Sequence, residues 1–192
     1  GGGSLTEAVN MTGLFIDGGP VVQVKDSAGR TQPYKDPEPG LVWEGPLVVM
    51  INKFSASASE IFAGAIQDYN RGIVIGDHST HGKGTVQQLF DLSNALFRVA
   101  AAPNMGALKL TIQQFYRPGG DSTQNRGVVS DVELPSLTSH LDKISESDLD
   151  YALAFDTVKP LPHDNFRMLD SKLVDGLRQR SQQRVANSEF FA

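Results

Sequence analysis

The chain has 192 residues, enough for one domain with an appendage, and its 40% hydrophobic and 20% charged content is ordinary for a globular protein. A net charge of -5 argues against a non-specific nucleic-acid or anionic-membrane surface, and no apolar run approaches the roughly 18–20 residues needed to span a bilayer. With no cysteine, a disulfide scaffold, a thiolate metal site and a thiol nucleophile are all excluded, and the opening GGGSLTEAVN does not read as a signal peptide.

In chain order, Leu5, Val9, Thr12 and Leu14-Phe15-Ile16 recur at about four residues and predict a short helix over 5–15. Pro20 to Asp26 is rich in β-branched residues and predicts a strand ending in the turn Ser27-Ala28-Gly29. The polar, proline-bearing stretch from Arg30 to Gly40 is expected to be a surface loop. Pro46 to Asn52 is continuously apolar and fits a strand buried on both faces, as in a parallel sheet. Ile61, Phe62, Ala65, Ile66 and Tyr69 then mark a helix over 55–69, and Gly72 to Gly76 a second buried strand. Strand, helix and strand in about 30 residues make a βαβ unit. Further strands are expected over Thr85–Leu92, Leu108–Tyr116 and Val128–Leu134. Beyond Pro135 the pattern turns polar and helical, with Phe166, Leu169, Leu173 and Leu177 marking an amphipathic helix over about 163–185. The chain is therefore expected to divide into a core over 1–135 and a helical extension over 136–192.

The sharpest chemical feature is Phe54-Ser55-Ala56-Ser57-Ala58-Ser59-Glu60, directly after the apolar strand. Small residues there let the chain turn tightly into a helix whose first N–H groups are unpaired, so a serine can face outward beside ready oxyanion donors. The same serines are also good helix N-caps. A nucleophilic serine needs a base. Of the four histidines, His140 and His163 fall in the polar appendage and read as solvated, whereas His78 and His81 lie in a glycine-punctuated loop. The loop continues Gly82-Lys83-Gly84-Thr85, where a lysine flanked by glycines can pack closely, lose hydration and act as a neutral base. A phosphate-binding loop does not fit, because five residues separate Gly76 from Gly82 and a strand follows Lys83. The loop aspartates Asp17, Asp26, Asp36, Asp77 and Asp121 lack metal-ligand spacing.

Phe54 to Ala63, Gln67-Asp68, Gly76 and Gly82-Lys83-Gly84-Thr85-Val86-Gln87 together closely resemble the carboxyl-terminal processing peptidases of family S41. Gly2-Gly3 through Ala8, Gly45 to Val49, Thr111 to Arg117 and Ser122 to Val128 extend the likeness over roughly residues 1–135. The resemblance implies a crotonase/ClpP-like α/β core and a serine endopeptidase cutting proteins near their C-terminus. It implies Ser57 as nucleophile, Lys83 as general base and Gln87 as the residue orienting the lysine. It further implies an oxyanion hole from the N–H of Ala58 and of Gly2 or Gly3, and a supporting role for Asp68. No cofactor is implied. The implied partners are protein or peptide substrates with accessible C-termini, an adaptor or further subunits, and an upstream PDZ domain, with the chain as the C-terminal piece of a longer precursor. The implied location is the periplasm, in association with the inner membrane. One departure stands out: Ser57 and Lys83 are 83 − 57 = 26 residues apart, one more than is usual in the family. Two rival readings are an inactive peptide-binding or scaffold module on the same fold, and a Ser–His hydrolase using His81.

Overall fold

The computed structural model describes residues 1–93, 104–141 and 143–191. Its centre is helix α2 (Ala58–Asp68), held between two sheets. On one side lies an antiparallel sheet in the order β2-β1-β6-β5, from strands β1 (Gly19–Asp26), β2 (Thr31–Asp36), β5 (Thr85–Asp91) and β6 (Ala107–Tyr116). On the other lies a parallel sheet in the order β3-β4-β7, from β3 (Val48–Ile51), β4 (Ile73–Gly76) and β7 (Val132–Glu133). Helix α1 (Leu5–Gly13) packs on α2. Ala58, Ile61 and Ala65 join Val9, Val22, Val24 and Phe115 in one core, and Ala63 joins Ile51, Val74 and Val128 in the other. This explains the alanine-rich helix: a helix covered on both sides needs small residues where the sheets approach.

The βαβ unit is present as read, with β3 and β4 parallel and Val48 to Ile51 paired with Ile73 to Gly76. Gly76 has a φ of 134° against the β3 backbone, and a Cβ there would collide with the Ile51 carbonyl oxygen. Burial of β3 is one-sided, unlike the sequence expectation. Val49 and Ile51 face α2, while Val48 and Met50 are 55% and 75% exposed. Val48 borders a groove shared with Leu177 and Val185, and Met50 is open, so the outer face of the run is only partly covered by the described residues.

Residues 31–36 form a strand rather than a loop. β2 is the edge of the antiparallel sheet, where a proline such as Pro33 lacks only an outward-facing donor. The strand expected over 128–134 is reduced to Val132–Glu133, because Val129 instead forms an isolated bridge with Ser79. The final helix, α3 (Ser171–Ala186), starts well after residue 163, capped by the Asp170 side chain, which accepts from the Leu173 N–H. The stretch before it is mostly irregular and stitched to the core. Lys25 pairs with Asp156, Gln23 donates to the Lys159 carbonyl, and the Phe166 N–H donates to the Tyr69 carbonyl. His163 is part of this seam rather than solvated surface, its ring tilted 45° against that of Tyr69 with centroids 4.9 Å apart. No helix among the described residues is long and apolar enough to cross a membrane.

Replacing Gly76 with alanine is expected to destabilise the protein by about 3 kcal/mol or more, since the new methyl meets backbone rather than a movable side chain. Urea unfolding measures this, and an unchanged midpoint would contradict the tight β3–β4 contact.

Candidate active site

The junction between β3 and α2 is shaped by short polar side chains. The Phe54 N–H donates to Asn52 Oδ1 and the Ser55 N–H to the Asn52 carbonyl, closing a tight turn. Ser57 then takes φ 55° and ψ -113°, a left-handed conformation rare for a side-chain-bearing residue and typical of functional turns. Its N–H is held by Glu60 Oε2 at 2.7 Å, so the helix N-terminus is fastened by its own third residue.

The N-terminal glycines lie against this turn. The Gly1 carbonyl accepts from the Ala56 N–H and from Ser59 Oγ. A Cβ on Gly2 would come 2.6 Å from the Ala56 carbonyl oxygen and 3.0 Å from Ser57 Cβ, so only glycine fits there. Gly3 borders open space on the cleft side. Among the described residues, the N–H groups of Ala58, Gly2 and Gly3 have no acceptor.

Lys83 reaches the same place from the second segment. Gly82 and Gly84 press against residues 122–125; a Cβ on Gly84 would lie 2.5 Å from Ser122 Oγ. This is the close approach expected of Gly-Lys-Gly. Lys83 Nζ donates to Gln87 Oε1 at 3.0 Å. Gln87 sits on β5 where the pairing register shifts between Val86 and Gln87, an irregularity that re-aims side chains. Ser57, Ala58, Gly3, Lys83 and Gln87 line one cleft of about 230 Å³. Burial lowers the Lys83 pKa from its ordinary value, helped by the nearby Lys109 ammonium and opposed by Glu146 and Glu60.

The longer loop does not carry Lys83 away, because residues 77–82 are pinned at several points. Asp77 accepts from Ser136, Thr138 and the Lys53 N–H, and the His81 N–H donates to the Ser55 carbonyl. His81 itself turns toward Glu146, with Nδ1 3.8 Å from Oε2, and does not line the cleft. Asp68 lies at the opposite end of α2, paired with Arg117 and accepting from the Gly119 N–H. It fastens the turn after β6 and stands apart from the cleft.

Sequence reasoning gave no role to Glu60. Its carboxylate is fully buried and accepts four hydrogen bonds: Oε2 from the N–H groups of Ser57 and Lys83, Oε1 from the Gly82 N–H and Thr80 Oγ1. Burial pushes its pKa up to about 7 against the pull of those donors. A glutamate three residues after a helix-capping serine was the available signal, though only for a cap. Lys109, on β6, also lines the cleft and carries no sequence signal. Among the described residues no cluster of three or more His, Asp or Glu side chains could hold a metal.

A strained serine and a half-buried lysine thus open into one cleft of a mixed α/β protein, the kind of site that serine-type peptidases carry. The profile of "Peptidase family S41" matches residues 1–134, and that of the "C-terminal domain of tail specific protease" residues 140–192. The chain belongs to peptidase family S41. It is 44% identical to the tail-specific protease of Haemophilus influenzae over 194 aligned residues, covering 100% of this chain and 27% of that protein. It is 38% identical to the carboxy-terminal-processing protease of Bartonella bacilliformis, covering 68% of this chain and 28% of the relative. Among solved structures, the photosystem II D1 C-terminal processing protease matches with a TM-score of 0.59 at 33% identity, covering 70% of this chain and 32% of that one. The chain thus spans about a quarter of the length of these curated relatives.

Glu60→Gln tests the buried carboxylate. Whichever oxygen becomes an amide then faces two donors, and the variant is expected to lose about 2–4 kcal/mol of stability at pH 8. Denaturant unfolding reads this directly; a loss below about 0.5 kcal/mol would show that the four donors do not depend on the acceptor.

Proposed function

We propose that this chain is the catalytic part of a serine endopeptidase that cuts proteins near their C-terminus, using Ser57 and Lys83. The observation that carries the reading is that both segments are fastened to one carboxylate, Glu60, and open into one cleft. Ser57 Oγ attacks the peptide carbonyl carbon while neutral Lys83 takes the hydroxyl proton. Gln87 accepts from the amine and fixes its direction. The oxyanion is received by the free N–H of Ala58 with that of Gly3 or Gly2, each such donor being worth about 3–4 kcal/mol of barrier. The protonated lysine returns its proton to the departing amine, leaving an acyl-enzyme. Water, deprotonated by the same lysine, then releases the new C-terminus and frees the serine.

Asp68 acts at a distance in this reading, as a positioning residue. Its pairing with Arg117 holds the end of β6 that carries Phe115 into the cleft wall. The peptidase core is assigned to 1–135 and the remainder to an extension that braces it. The substrates are proteins with accessible C-termini. A PDZ domain upstream, an adaptor or further subunits, and a periplasmic, membrane-associated location follow from the family resemblance.

Ser57→Ala, Lys83→Met and Lys83→Arg are each expected to lower kcat/KM on a tagged protein at least about 1,000-fold. Arginine keeps the charge but cannot release its proton. Wild-type kcat/KM is expected to rise with pH as Lys83 becomes neutral. Cleavage surviving in Lys83→Arg would remove the lysine from the mechanism. A decline through pH 6 that persists in that variant would point to His81. Peptide binding with no turnover in the wild type would instead favour the scaffold reading.

A further inference from the structure

Among the described residues, the side chains lining the cleft include two cations and no anion. Lys83 and Lys109 both line it, and none of the side chains lining it is a carboxylate, although the chain as a whole is acidic at -5. Lys109 sits in the β6 register opposite Leu89, between Leu108 and Leu110, and makes no ion pair among the described residues. Lys109 and Phe115 both line the cleft, from either side of the register shift in the β5–β6 pairing. The carboxylates nearest the site are already engaged. Glu60 accepts its four donors, and Glu146 accepts from Gln124 and faces His81.

An ammonium with no ion-pair partner among the described residues, beside a base that must stay neutral, lacks an obvious catalytic task. Its charge opposes protonation of Lys83. It also leaves a positive potential in a concave site, which attracts anions. A peptide brings two kinds of anion into such a cleft: an Asp or Glu side chain, or its own terminal carboxylate. A cleft of about 230 Å³ has room for only a short stretch of extended peptide, in which residues are spaced ~3.3 Å apart.

We propose that Lys109 is the receptor for a carboxylate of the bound peptide and selects substrates carrying that charge within about three residues of the scissile bond. This rests on the peptidase reading above. Lysine suits the task, since a flexible point charge can follow a carboxylate on a mobile chain, whereas a fixed fork would demand one geometry.

The test uses matched peptides on the natural protein. In one arm each position within three residues of the cut carries Glu or Gln. In the other arm the terminus is free or amidated, at several distances from the cut. The wild type is expected to prefer the carboxylate about three- to tenfold in kcat/KM, mainly through KM, in at least one arm. Which arm responds identifies the source of the carboxylate. The preference should fall to about one in Lys109→Gln, survive in Lys109→Arg and invert in Lys109→Glu. The pH profile of Lys109→Gln should also move to higher pH, because Lys83 has lost its cationic neighbour. No preference in either arm, or a preference kept by Lys109→Gln, overturns the proposal. Binding of the same peptides to Ser57→Ala, followed by fluorescence anisotropy, gives the ratio without turnover. Should the wild type cut nothing, the peptidase reading fails, and the binding ratio still decides the role of Lys109.

Discussion

The arrangement depends on one buried carboxylate. Glu60 accepts the N–H of Ser57 on its own helix and the N–H groups of Gly82 and Lys83 from a loop more than twenty residues later. A carboxylate removed from water carries a penalty, seen here in a pKa raised to about 7, and four donors partly compensate it. What the protein gains is a fixed relation between two segments that sequence alone leaves independent. The strained φ of Ser57 belongs to the same account. A conformation that costs about 1–3 kcal/mol persists only where its surroundings over-determine it. Glu60 on one side and the Gly1–Gly3 segment on the other supply that restraint.

Helix α2 carries this hub because both sheets hold it. The antiparallel sheet contributes Val22, Val24 and Phe115 to one side, and the parallel sheet Ile51 and Val74 to the other. A helix gripped in this way has little freedom to rotate, so its first turn is a rigid base for the serine. At its other end, Asp68 and Gln67 both accept from Arg117, tying the helix to the end of β6. The two ends therefore place Ser57 and one wall of the cleft relative to each other.

Much of this was legible from local pattern. The β3–α2–β4 unit shows in sequence because its apolar residues lie close together and change period where the helix begins. The serine and the glycine-flanked lysine show because tight turns restrict residue type. What stayed hidden was non-local. β2 contains Pro33 and reads as a loop until its edge position is known. The outer face of β3 reads as core although Met50 is exposed, because apolarity does not say which faces are covered. Residues 163–170 carry helical spacing, yet Phe166 and His163 are used against Tyr69, and tertiary contact there overrides periodicity. Glu60 shows in sequence only as the residue three after a possible N-cap serine, and its partners Thr80, Gly82 and Lys83 could be found only in space.

The electrostatic balance at Lys83 follows from the same geometry. Burial and the Lys109 charge favour the neutral amine, while Glu146 and Glu60 favour the ammonium. Burial is the largest of these effects, and neither carboxylate hydrogen-bonds the amine: Glu60 accepts from backbone donors and a hydroxyl, Glu146 from Gln124. A free carboxylate against the amine would hold its proton and stop it acting as a base. The amine instead donates to the amide oxygen of Gln87, which directs it without adding a negative charge. A neutral acceptor at that position and a cation across the cleft work in one direction. Both favour the neutral amine of Lys83, and among the described residues the cleft lining adds no carboxylate to oppose them.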